Sequence, residues 1–219
     1  MDTEAVTRLS AAVNAARGGD ADAFRALFRD MQPRLLRYLG TLAGDDAEDV
    51  ASETWLQVAR DIGGFEGDYA GFRGWVTTIA RHRALDEARR RVRRPAVAVP
   101  ADDLTALPAA NDTAADGIEA VSTAAALRLI ATLPPDQAEA VLLRAVIGLD
   151  AEAAGRVVGK RAGAVRTAAH RGLRTLARRL AQDGLAQDGL AQNVSARDGG
   201  VTQKDGVTQA RSLALKDMR

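Results

Sequence analysis

The stretch 133-LPPDQAEAVLLRAVIGLDAEAAGRVVGKRAGAVRTAAHRGLRTL-176 carries the clearest architectural signal in the chain. Pro134, Pro135 and Asp136 break the backbone and open a helix over 136–147. Gly148 interrupts it, a short helix follows over 150–158, and Gly159 supplies the tight turn into a longer helix over 162–180. Helix, short break, helix, tight turn and helix is helix-turn-helix spacing. The last helix of such a unit enters the DNA major groove, with residues near its N-terminus at base edges and flanking bases on phosphates. Here it presents Arg161, Ala162, Ala164, Arg166, Thr167, His170, Arg171 and Arg174, while Val165, Ala169, Leu173 and Leu176 are expected to face the core. A helical bundle with a charged outer face is the plainer alternative. Residues 156–179 hold eight bases and no acid, which favours DNA binding through counterion release.

Upstream, 75-WVTTIARHRALDEARRRVRR-94 begins apolar and ends in arginines. Residues 81–94 carry seven arginines against Asp86 and Glu87, and the helix predicted from about Phe72 to Arg93 stops at Pro95. Before it lie two further predicted helices. Asp20 is a plausible N-cap for a run in which Phe24, Leu27, Phe28, Met31, Leu35, Tyr38, Leu39 and Leu42 recur at helical spacing, with a kink expected at Pro33. After Gly44, Asp45 and Glu48 resemble a capping box for a helix reaching about Ile62. Residues 44–68 carry eight acids against Arg60. Asp46, Asp49, Glu53 and Gln57 form one stripe on that helix, either a solvated face or a docking surface for a basic partner. Phe65, Tyr69, Phe72 and Trp75 surround the loop before the arginine helix, and aromatics beside arginines suit unstacked bases. Trp75 fits such a base platform or the core equally well.

Composition agrees with an all-α protein. Aromatics are only 4% of the chain, alanine is abundant, and β-branched alternation is almost absent. With no cysteine and two distant histidines, disulfides, thiolate metal sites and histidine metal sites are not expected. No phosphate-binding glycine loop or nucleophile triad is present, so neither an enzyme nor a cofactor is expected. No apolar run approaches the roughly 18 residues a membrane span requires, and the acidic N-terminus lacks a secretory pattern. A cytoplasmic location without membrane insertion or a small-molecule substrate follows as the expectation. Residues 95–121, rich in Ala, Pro and Asp, read as a flexible acidic linker between domains at 1–94 and 122–180. Residues 181–219 read as a low-complexity, disordered tail, because LAQDG recurs at 180–184 and 185–189 with glycine every fifth residue.

Four stretches in this order resemble the extracytoplasmic-function (group 4) sigma factors of bacterial RNA polymerase: 24-FRALFRDMQPRLLRYL-39, 46-DAEDVASETWLQVAR-60, 72-FRGWVTTIARHRALDEARRR-91 and the stretch from 133 to 176. The resemblance covers about residues 18–180 and implies two small helical domains, a sigma2 bundle and a sigma4 helix-turn-helix. It implies that Asp46, Asp49, Glu53 and Gln57 dock on the polymerase core, whose clamp and flap are the expected partners. It further implies that Phe65, Arg73, Trp75, Thr78, Arg81, His82, Arg83, Arg89 and Arg90 serve minus-ten recognition and melting. The reader helix would then recognise the minus-thirty-five element of promoter DNA, and an anti-sigma factor would be the restraining partner.

Three features depart from the family pattern. His82 stands where Asn is usual, and Lys160 and Ala162 replace an apolar pair in the turn. Ala153, Ala154 and Gly155 replace larger residues, from which a loosely packed first helix is expected. The reading of a different class is a helix-turn-helix regulator that binds duplex DNA without polymerase and has no use for the acidic stripe.

Overall fold

The first of the described helices was not anticipated. In the computed structural model, which describes the backbone of residues 3–93 and 114–198 and the side chains of 4–91 and 123–182, helix α1 spans Thr3–Arg17. It buries Leu9, Val13 and Ala16, one side chain per turn. Its small apolar stripe packs on the two helices that frame the first core, those over Ala21–Leu42 and Tyr69–Arg93.

Helix α2 (Ala21–Leu42) starts as expected at Asp20, whose carboxylate accepts from the Asp22 and Ala23 amides at 2.9 and 3.0 Å. Leu27, Met31, Leu35 and Leu39 recur every fourth residue and are fully buried. The helix runs through Pro33 without ending. Pro33 and Arg29 are exposed, so the carbonyl that the proline ring deprives of a donor can face water. Gly44, at φ 59°, turns the chain into a short 3-10 turn and then α3 (Ala47–Asp61). The expected capping box does not form, since no side chain caps α3 and the Asp46 carboxylate is bonded by Arg91. Helix α3 buries Val50, Ala51, Thr54, Trp55 and Val58, with the Thr54 hydroxyl donating to the Val50 carbonyl. Trp55 lies against Phe24 and Phe28 and donates its indole N–H to Gln32 at 2.6 Å. Helix α4 (Tyr69–Arg93) closes this bundle with Tyr69, Phe72, Val76, Ile79, Ala80 and Ala84.

In the second half, α5 spans Ala114–Ala131 and so begins inside the segment expected to be linker. The earlier part of that segment, 95–113, lies outside the described residues. Pro135 opens α6 (Pro135–Val141), which continues as a π-helical turn over Leu142–Val146. Gly148, at φ 79°, reverses the chain into α7 (Ala151–Val158). Asp150 caps α7, accepting from the Glu152 and Ala153 amides at 2.9 and 2.7 Å, and Gly159 ends it in the left-handed region. Helix α8 then runs Ala162–Asp198. It continues past the expected end at residue 180, because Ala, Leu and Gln propagate a helix well enough to carry glycines costing about 1 kcal/mol each. The rest of the tail, 199–219, lies outside the described residues. The described residues up to Leu176 form one compact unit, which the part of α8 from Ala177 onward does not join.

The core face of α8 differs from the expected one. Val165, Ala169 and Gly172 are buried and Leu176 partly so, whereas Leu173 is 54% exposed. At 100° per residue the set 165, 169, 172 and 176 stays within one stripe, while 173 lies well off it. Gly172 occupies the stripe because α6 is too close for a side chain: a Cβ there would stand 2.8 Å from Val141 Cγ2 and 3.3 Å from the Gln137 carbonyl.

The Asp150 cap sets a test of its own. Its carboxyl is held below the usual carboxylate range, chiefly by the hydrogen bond from the Ala153 amide, with the Glu152 amide and Arg156 adding to it against partial desolvation. A group with a depressed native pKa contributes stability above its unfolded value and loses it as pH falls through the native one. Asp150→Ala is therefore expected to cost about 1 kcal/mol at neutral pH. The gap between wild type and variant in urea denaturation should close as pH drops below the ordinary carboxylate range.

Candidate nucleic-acid interface

The N-terminal half of α8 presents its basic side chains outward. Arg161, Ala164, Arg166, Thr167, His170, Arg171 and Arg174 are exposed, and Ala162 is half-buried at the turn. Thr167 donates its hydroxyl to the Gly163 carbonyl at 3.0 Å, leaving the oxygen's accepting capacity outward. Among the described residues no carboxylate pairs with Arg161, Arg166, Arg171 or Arg174, although Arg156 and Lys160 nearby pair with Glu152 and Asp136. Three such guanidinium groups on the helix and a fourth, that of Arg161, in the turn before it make a surface for a polyanion.

The residues expected to serve single-stranded DNA fall into three groups. Phe65 and Trp75 stack with ring centroids 5.0 Å apart, and both are half-buried, so part of each side chain is still accessible. His82, Arg89 and Arg90 are exposed, the two arginines pairing with Asp86 and Glu87 one turn away. His82 borders an open groove of about 300 Å³ with Glu53, Gln57, Ile79, Arg83, Asp86 and Arg90.

Four members of the set are engaged with protein instead. Arg73 donates to the Ile147 carbonyl at 3.0 Å and lies over the Tyr69 ring. Thr78 donates to the Gly74 carbonyl at 2.8 Å. Arg81 donates to both carboxylate oxygens of Glu139, at 2.7 and 3.4 Å. Arg83 donates to Glu53 at 2.6 Å and to Gln57 at 2.9 Å.

The acidic stripe comes together as a face, but three of its members also brace α4. Asp46 bonds Arg91, and Glu53 and Gln57 hold Arg83, while Asp49 is exposed and has no ion pair among the described residues. Sequence reasoning missed a component of this face. Leu56 is 59% exposed and sits seven residues from Asp49, on the same side of the helix. Phe28, one of the apolar residues recurring at helical spacing in α2, is 38% exposed beside Trp55. The only sign of Leu56 in the sequence is a leucine at the spacing of the acids. Among the described residues, no group of three or more His, Cys, Asp or Glu could hold a metal, and no helix is long and apolar enough to cross a membrane.

The fold thus joins a basic, exposed helix after a tight turn to a separate arginine-lined helix braced by acids. Residues 27–94 match the sigma-70 region 2 family, and 123–176 match sigma-70 region 4. The chain is 35% identical over 178 residues to the ECF RNA polymerase sigma factor BldN of Streptomyces coelicolor, covering 80% of this chain and 67% of that protein. It is 35% identical over 193 residues to the ECF RNA polymerase sigma factor ShbA of Streptomyces griseus, covering 83% of this chain and all of the other. The fold is shared with CnrH, solved in complex with the cytosolic domain of CnrY, at a TM-score of 0.55 and 19% identity over 80% of this chain and 99% of that one. The protein belongs to the ECF RNA polymerase sigma factors.

Proposed function

We propose that the chain acts in the cytoplasm as the promoter-recognition subunit of bacterial RNA polymerase, adding specificity and duplex opening while the polymerase performs the chemistry. Asp49, Glu53 and Leu56 form the centre of the docking face. Asp46 and Gln57 hold that face to α4 through Arg91 and Arg83. The minus-thirty-five element is read by Arg161, Arg166, Thr167, His170, Arg171 and Arg174. The melted minus-ten strand stacks at Phe65 and Trp75 and is held by His82, Arg89 and Arg90, joined by Arg73 and Arg81 when these are released. Residues 1–94 and 122–180 are the two working domains. The same exposed faces would be covered by an anti-sigma factor.

The observation that supports this reading best is the division of charge between two surfaces: an acidic helix face with an exposed leucine, and a basic helix on which Arg166, Arg171 and Arg174 are exposed and, among the described residues, pair with no carboxylate. A regulator acting alone needs the second surface and not the first. Reconstitution with core polymerase is expected to give promoter-specific transcription. Tight duplex binding by the free chain with no initiation would instead support the helix-turn-helix regulator. Arg166→Ala is expected to weaken minus-thirty-five binding by roughly 1–3 kcal/mol if the guanidinium makes a bidentate base contact. An unchanged footprint would remove Arg166 from the reader.

A further inference from the structure

The turn that joins α6 to α7 lies on the arginine helix. Arg73 Nη1 donates to the Ile147 carbonyl at 3.0 Å, and Arg34 Nη1 reaches the Val146 carbonyl at 3.5 Å. Gly148 suits the turn because its φ is 79°, and a Cβ there would stand 2.6 Å from Arg73 Nη1, so any side chain would push that guanidinium aside. Leu149 is 3% exposed, with its Cδ2 at 4.0 Å from where a Cβ of Gly74 would be. About two helical turns along α4, Glu139 Oε1 accepts from Arg81 at 2.7 Å and from the Tyr38 hydroxyl at 2.9 Å. The Arg81 and Glu139 side chains are only 20% and 18% exposed. Burial and the adjacent Glu139 push the Tyr38 phenol far up, so it stays protonated and donates.

We propose that these contacts form a self-closing latch: in the free chain the second domain, through Glu139 and the Ile147–Gly148 turn, occupies Arg73 and Arg81 and withholds them from single-stranded DNA. The occlusion is one-sided. The reader arginines of α8 remain exposed in the same closed form, so duplex binding is left intact while single-strand binding is suppressed. Opening returns Arg81 and Glu139 to water, which removes the cost of keeping a charge pair in a poorly solvated place. Polymerase docking or the melted strand, by taking the arginines or separating the domains, would supply the opening force. The latch rests on the minus-ten reading of Arg73 and Arg81.

The chain has no cysteine, so Glu48→Cys and Glu152→Cys, both at exposed positions on α3 and α7, give two unique spin-label sites in the full-length protein. Free wild type is expected to show one short, narrow distance distribution. Glu139→Arg, which sets like charges against each other, should lengthen and broaden it; Glu139→Gln should do so partially. Arg81→Glu combined with Glu139→Arg should restore the short distance, as a direct pair requires. Affinity for fluorescein-labelled oligothymidylate should rise about tenfold in Glu139→Arg if the open form is about a tenth of the wild-type population. Affinity for a duplex should not change, which also shows that the second domain is still folded. Distances unaltered by Glu139→Arg, or opening without tighter oligothymidylate binding, would overturn the latch. A chain that closes and opens as described yet supports no transcription with core polymerase would leave the latch standing and sink the initiation-factor reading.

Discussion

Gly155→Val is expected to destabilise the second domain by about 3 kcal/mol and to abolish minus-thirty-five binding. A Cβ at residue 155 would stand 2.5 Å from the Lys160 carbonyl oxygen, 3.4 Å from the Ala162 amide nitrogen and 3.6 Å from the Arg161 carbonyl carbon. All three atoms are backbone, so no flexible side-chain end can swing aside. The turn is held against Gly155 by the Lys160 and Gly159 amides, both of which donate to the Gly155 carbonyl. Inserting side-chain atoms into such a contact costs about 1–3 kcal/mol and occasionally more, and valine is near the upper end because both its methyls start from the blocked Cβ. The displacement falls on Arg161 and Ala162, where α8 begins, so the reader's angle to the DNA changes even in chains that stay folded. Gly155→Ala separates the two physical effects. On helix propensity alone it would stabilise by about 1 kcal/mol; with the turn this close it should destabilise. Urea denaturation of the alanine variant checks the sign, and a stabilised Gly155→Ala would show that the turn does not need the glycine.

That glycine marks where the sequence stops being informative. Read in one dimension, Gly155 is a poor helix former and suggests a loose helix. In the fold it is the residue on which the turn closes, and Gly172 plays the same part where α8 meets α6. Hydropathy patterning puts the nearest leucine, Leu173, into the core, but close approach of two backbones selects the residue without a side chain. The all-helical class, the helix-turn-helix and the Asp20 cap were legible because each depends on residues within a few positions of one another. The acidic face and the basic reader helix were legible for the same reason. Partners distant in sequence were not. Arg83 looks like a DNA contact beside its neighbours, yet Glu53 and Gln57 hold it from 30 and 26 residues away. Arg81 meets Glu139 across 58 residues, and no local pattern announces that pairing. Helix α1 went unread because Leu9, Val13 and Ala16 make a modest stripe that gains meaning only from the core it covers.

Asp49→Arg is expected to lower affinity for core polymerase by about a hundredfold, near 3 kcal/mol, with the double variant Asp49→Arg, Glu53→Arg losing measurable binding. Facing a basic partner, a reversed charge costs more than a deleted one, because it replaces attraction by like-charge repulsion at an interface that excludes water. Asp49 gives the cleaner test. It is exposed and without an ion pair among the described residues, so its reversal should shift the unfolding free energy by only about 1 kcal/mol, through loss of an acid from the first turn of α3. Glu53 is also 53% exposed but lies 2.6 Å from Arg83, whose Nε is buried without a partner. Reversing Glu53 therefore sets two guanidinium groups together and disturbs α4 as well as docking. Glu53→Gln resolves the overlap, since the amide oxygen can still accept from Arg83 while the charge facing the partner is gone. If charge is what docks, Glu53→Gln and Asp49→Asn should weaken polymerase binding by similar modest factors and leave stability alone. If the bracing of Arg83 matters more, Glu53→Gln should be silent and only the reversal should fail. Binding of each variant to core polymerase, measured by fluorescence anisotropy beside the binding of a minus-thirty-five duplex, decides it. Docking should fall in Asp49→Arg while duplex affinity holds, because the reader helix contains no part of this face. Equal loss of both would mean unfolding, and unchanged docking would remove Asp49 from the interface.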